Sequence, residues 1–193
     1  MKSPDRPPSP KLPDKLRKDL DTIPPSHDGD LNYWPCAAHL KNGTVLTCVY
    51  VVAESSYIKV WGVYPEQDRH KNHVSILSVD ALAESPWRLP AKFANRLYEN
   101  GESGMGYTIF TVVFSDGSRQ AYGTGNAVDF VRYPEGKGAA DVLDVVPHEG
   151  RNAEPVRSPE YYWCLFSSWA KVNECNGVVT SFVGLELLCA KLE

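Results

Sequence analysis

His148 and Glu149 stand side by side after an apolar run, at a turn completed by Gly150-Arg151. A His beside a carboxylate at a strand end is raw material for a general base. Neighbouring residues point in different directions, so such a pair needs a cleft and a third group, for which Asp129 is the candidate. These residues define a hydrolase reading with the site between two β units. His70 and His73 share a loop, YPEQDRHKNH, but no third ligand stands out. The charges of Asp68, Arg69 and Lys71 mark that loop as solvated, and neither a metal nor a cofactor is expected.

The glycines of GESGMG (101–106) follow a helical stretch and precede a strand, the reverse of a phosphate loop. Gly123-Thr124-Gly125-Asn126 has the same defect, although its amides could form an anion nest. Ser103 is a candidate nucleophile, but no G-x-S-x-G elbow surrounds it. Cys36 and His39 lie three apart on a strand and so face opposite sides.

Aromatic residues make up 11% of the chain, too large a share to ignore. Trp34, Trp61, Trp87 and Trp163 lie near turns or element ends, where part of each indole is expected to stay exposed. Such residues give large contact area at low entropic cost and anchor interfaces. Few basic residues accompany them and the net charge is -4, which weighs against a nucleic-acid partner. The sequence therefore favours a non-enzymatic protein-binding module of the inhibitor, immunity or assembly type, with another protein as partner. A homo-oligomer is compatible with it, and the alternatives are the hydrolase above or a weak nucleic-acid binder.

The five cysteines form no C-x-x-C pair, so free thiols in a reducing cytoplasm are expected. No apolar run is long enough to span a bilayer, and the N-terminus lacks the apolar core of a signal peptide.

An α+β, β-dominated domain is expected over 33–193, built of antiparallel sheets or small barrels. Residues 1–32 hold seven prolines, and six Lys/Arg balance six Asp. With few apolar groups to bury, this stretch is expected to be a disordered Pro-rich arm. Strands are expected over Cys36–Leu40, Val45–Ala53, Tyr57–Val63 and Val74–Val79, with a helical turn over Asp80–Glu84. Lys41-Asn42-Gly43-Thr44 and Ser115-Asp116-Gly117-Ser118 are hairpin turns. Phe93, Ala94, Leu97 and Tyr98 form the apolar stripe of a connecting helix over 90–100. Strands return over Tyr107–Phe114, Arg119–Tyr122, Asn126–Tyr133 and Val142–Val146.

Ser158-Pro159-Glu160 resembles a helix start, and Tyr162, Leu165, Phe166, Trp169 and Val172 continue its stripe, although YYWCLF also fits a buried strand. Val178–Leu192 is expected to hold a strand and then a helix. Tyr33–Thr44 aligns without a gap on Tyr107–Ser118, and Tyr64-Pro65-Glu66 on Tyr133-Pro134-Glu135. Ile76–Val79 then parallels Val142–Val145, so 33–84 and 107–150 read as a duplicated four-strand unit.

Overall fold

Asn42-Gly43 and Asp116-Gly117 each close a hairpin, and two sheets grow outward from them. In a computed structural model that describes residues 9–167, Leu31–Leu40 (β2) pairs antiparallel with Val45–Ala53 (β3). Thr108–Phe114 (β6) pairs in the same way with Arg119–Thr124 (β7). Gly43 and Gly117 take φ of 87° and 81°, where a Cβ is disfavoured.

Around β2–β3 the first sheet adds Ser26–Asp28 (β1) and Val79–Ala83 (β5), both antiparallel to β2. Tyr162–Phe166 (β10) runs parallel to β3, and Asn72–His73 (β4) runs parallel to β10. The second sheet has the order β8-β6-β7-β9, with Val142–Pro147 (β8) antiparallel to β6 and Val156–Arg157 (β9) parallel to β7. The fold is thus β-dominated α+β with two mixed, open sheets; among the described residues neither closes into a barrel, and neither is purely antiparallel.

Alternation along the strands sends side chains to two different interiors. Val49 and Val51 of β3, with Cys164 and Phe166 of β10, face one side. Cys48, Tyr50 and Val52, with Trp163 and Leu165, face the other. The first side is covered by the helix Asp14–Leu20 (α1) and its flanks, through Leu12, Leu16, Leu20 and Ile23. The stretch expected to be a disordered arm thus gives the core these four side chains. Its apolar residues are few, but Leu12, Leu16 and Leu20 recur every four residues, so one helical face collects them. The first eight residues lie outside the described part.

The helix Ala91–Asn100 (α3) lies between the sheets, as expected for the 90–100 stretch. Phe93, Ala94 and Leu97 meet Phe110, Val112 and Phe114 of β6, while Tyr98 reaches the aromatic cluster against the first sheet.

Other expectations fail where tertiary contacts override local propensity. Tyr57–Val63 is not a strand: Glu54–Trp61 forms α2, which ends where Gly62 donates its N–H to the Ile58 carbonyl at 2.9 Å. Helical spacing lets both Tyr57 and Trp61 meet the aromatic interior. The assignments at 74–84 are interchanged, with a 3-10 turn at Ile76–Ser78 followed by β5. Asn126–Tyr133 is not a strand: the chain bends at Asn126 and Asp129 and forms only an isolated bridge, between Phe130 and Arg88. The helix expected from Ser158 is replaced by β10, matching the strand reading of YYWCLF. Its continuation to Trp169 and Val172, and the Val178–Leu192 stretch, lie outside the described residues.

Cys36, Cys48 and Cys164 are free and buried, and burial pushes the Cys164 thiol up to about 12. No described helix is long and apolar enough to cross a membrane.

Candidate functional site

Asp129, His148 and Glu149 do not form one site. Asp129 is fully buried. Ser26 donates its hydroxyl to one carboxylate oxygen, and Tyr98 donates to the other at 2.5 Å. Its backbone N–H donates to Tyr50 Oη at 3.3 Å. Burial raises the Asp129 pKa, against the opposing pull of these hydrogen bonds and the Arg88 charge. The same burial, reinforced by the Asp129 carboxylate, raises Tyr50 and Tyr98 well above the usual phenol range. Arg88 is itself buried; it donates from Nη2 to the Pro24 carbonyl, while Nε and Nη1 have no hydrogen-bond partner. This cluster joins β1, β3, α3 and the 126–133 segment, and its carboxylate has no exposure to solvent.

His148 lies elsewhere, with Nδ1 2.9 Å from Ser103 Oγ and Nε2 3.2 Å from the Asn100 carbonyl. A carbonyl only accepts, so Nε2 carries a proton, while the single Ser103 hydroxyl proton also has the Ile109 carbonyl within reach at 3.1 Å. His148 itself is a non-glycine residue held at φ 61°. Ser103 is only 8% exposed, and its Oγ accepts the Ile109 N–H at 2.9 Å. The contact fastens the 101–107 loop to the end of β8. Glu149 turns to Arg119, whose guanidinium holds the carboxyl below its usual range. The three side chains expected to converge share no hydrogen bond with one another.

The tryptophans separate as well. Trp34 is half-buried against the α1 side of the first sheet, and Trp87 against α3. Trp163, expected to be partly exposed, is only 1% accessible. Trp61 and Trp163 do meet, with ring centroids 6.1 Å apart and planes at 70°. Tyr57 completes the group, 5.3 Å from Trp163 and 6.3 Å from Trp61. Two elements build this box. Positions i and i+4 of α2 supply Tyr57 and Trp61, and the parallel pairing of β10 with β3 brings in Trp163.

A cation sits against these rings. Lys71 Nζ is 3.6 Å from the Trp61 centroid, 5.1 Å from Tyr57 and 5.7 Å from Trp163. Asp68 pairs with Lys71 Nζ at 2.9 Å and accepts the Tyr57 hydroxyl at 2.8 Å. Burial alone would raise Asp68, but the hydrogen bonds from Lys71 and Tyr57 outweigh it and hold the carboxyl low. Burial lowers Lys71, with Asp68 opposing. The 2.9 Å contact and the low carboxyl identify an ion pair. His73 lies 6.0 Å from the Tyr57 ring, and burial lowers its pKa toward the neutral imidazole. The indole N–H groups of Trp61 and Trp163 are buried without partners.

Asp68, Lys71 and His73 line a cavity of about 600 Å³, together with Pro10, Pro65 and Val74. That volume is within the range of ligand sites. The loop read from sequence as merely solvated thus forms one wall of this cavity. Its charges looked unremarkable because the rings facing Lys71 come from 57, 61 and 163. The one sequence signal was the pair of aromatics at Tyr57 and Trp61, whose spacing shares a face on helix or strand alike.

No family model matches the chain, and neither a curated protein nor a solved structure does.

Proposed function

We propose that this chain is a non-enzymatic binding module whose partner is another protein, engaged at the cavity beside Trp61 and Lys71. The observation that carries this reading is the Lys71–Asp68 ion pair held against three aromatic rings at the wall of a roughly 600 Å³ cavity. Aromatic anchors with a desolvated charge beside them are the composition of an interface hot spot. Buried free thiols suit a reducing compartment such as the cytoplasm. The expected outcome is a specific protein retained from native lysate by the wild type and by Trp34→Ala, and lost with Trp61→Ala and Asp68→Asn. Thermal melts would confirm that each variant is folded. Equal retention by all four proteins, or no specific partner, overturns the proposal.

A further inference from the structure

We infer that the box formed by Tyr57, Trp61 and Trp163 recognises an alkylammonium group, and that Lys71 is its resident occupant, displaced when a partner's lysine side chain enters. The source of that cation rests on the protein-binding reading above; the chemistry of the box does not.

The negative faces of the three rings converge on one ammonium, which lies 3.6 Å from the nearest centroid. Aromatic faces gathered in this way are how proteins hold organic cations away from water. Asp68 adds directionality, because it accepts an N–H from the ammonium and is itself oriented by the Tyr57 hydroxyl. The group that fits keeps at least one N–H, so a primary amine suits the site better than a quaternary ammonium. An anion does not fit, since Asp68 would repel it.

The occupant is poised to leave. Lys71 comes from the short connection between the 3-10 turn Pro65–Gln67 and the two-residue strand β4. Its backbone N–H makes only a long turn bond, 3.3 Å to the Asp68 carbonyl. Lys71 and Asp68 line the cavity and the three rings stand behind them, so withdrawal of the Lys71 ammonium into the cavity is what would open the box to a replacement. An internal occupant of this kind weakens the site for competitors by the fraction of time it is in place.

The test is titration of tryptophan fluorescence with n-butylammonium chloride, against n-butanol and against sodium chloride at matched ionic strength. Wild type should show a saturable change with the ammonium alone. Lys71→Ala should saturate at least tenfold lower in concentration, and Asp68→Asn combined with Lys71→Ala should lose the response. An equal response to n-butanol, no saturation in Lys71→Ala, or no tightening over wild type overturns the inference. If Lys71→Ala does not fold, a flat wild-type titration is decisive by itself. Saturation alongside a failed partner capture would remove the protein reading and keep the site. A flat titration removes the site whatever the capture returns.

Discussion

Leu12-Pro13 and Leu89-Pro90 open two stretches that fold on one plan. Each proline precedes a helix, α1 or α3, whose apolar stripe holds Leu16 and Leu20 in the first and Phe93 and Leu97 in the second. Each helix leads to a central strand, a hairpin and a 3-10 turn, and then to a strand returning antiparallel to the first. The turns agree in detail. Leu40 and Phe114 donate to Thr44 and Ser118 at 2.8 and 2.9 Å, while the N–H groups of Lys41 and Ser115 reach the Ser78 and Asp141 carbonyls. The register differs by three from the sequence alignment: Val79, not Ile76, occupies the place of Val142. Each sheet is then extended by a strand parallel to the hairpin's second arm, β10 on β3 and β9 on β7.

The halves part company after the hairpin. In the first, the chain turns into α2 and places Tyr57 and Trp61 behind Lys71, which lines the cavity. In the second, the matching stretch forms no helix and carries Asp129 and Phe130 inward, where Phe130 packs 4.7 Å from Tyr50. One scaffold thus gives aromatic rings backing a cavity-lining Lys71 and a carboxylate sealed between the sheets. A shared plan fixes the strands, and the segment that replaces one turn decides whether polar groups meet ligand or protein.

The largest losses are expected from truncating the matching leucines. Leu20→Ala and Leu97→Ala sit at 2% and 1% exposure. Each should cost about 2–5 kcal/mol in urea unfolding. A harmless Leu20→Ala would mean that α1 is not part of the folded unit. Gly43→Ala and Gly117→Ala should each cost about 1–2 kcal/mol, because neither position has a neighbour to clash with and only the positive φ penalises the methyl. Unequal losses would show that the two turns are not equivalent.

Smaller effects are expected at the sheet edges. Asp19 of α1 accepts the Leu82 N–H of β5 at 3.0 Å, and Arg96 of α3 donates to the Val145 carbonyl of β8. Both cover an outer strand that would otherwise present bare backbone. Asp19→Ala and Arg96→Ala should each lose about 1 kcal/mol, read from denaturation midpoints.

The final prediction is a slope. Burial raises Asp129 above its unfolded value, so its stabilising share is complete in acid, below a pH of about 3.9, and is lost as pH rises through the folded value. Asp129→Asn takes up no proton there, so the variant should gain on wild type as pH is raised above about 4. A stability difference that stays constant across that range contradicts the burial argument.

Legibility from sequence followed the range of the forces. The two hairpin turns, β3 and α3 could be read because Asn-Gly, Asp-Gly, a β-branched run and a four-residue stripe act within a few positions. The Leu12, Leu16, Leu20 stripe was equally local, but prolines and balanced charge around it suggested a solvated tail. For the site, Trp61 and Trp163 were singled out from sequence as aromatics near element ends, and no local pattern linked them.

Local residue patterns settle where the chain turns, which faces are apolar and that its aromatics are too many to be incidental. Long-range packing alone brings Trp163 against Trp61 beside Lys71, locks Asp129 away from His148 and joins β10 to β3. The reason is distance along the chain. Parallel pairing between residues more than a hundred positions apart leaves no periodic trace, and a charge in a polar loop shows its worth only once rings from elsewhere remove its water.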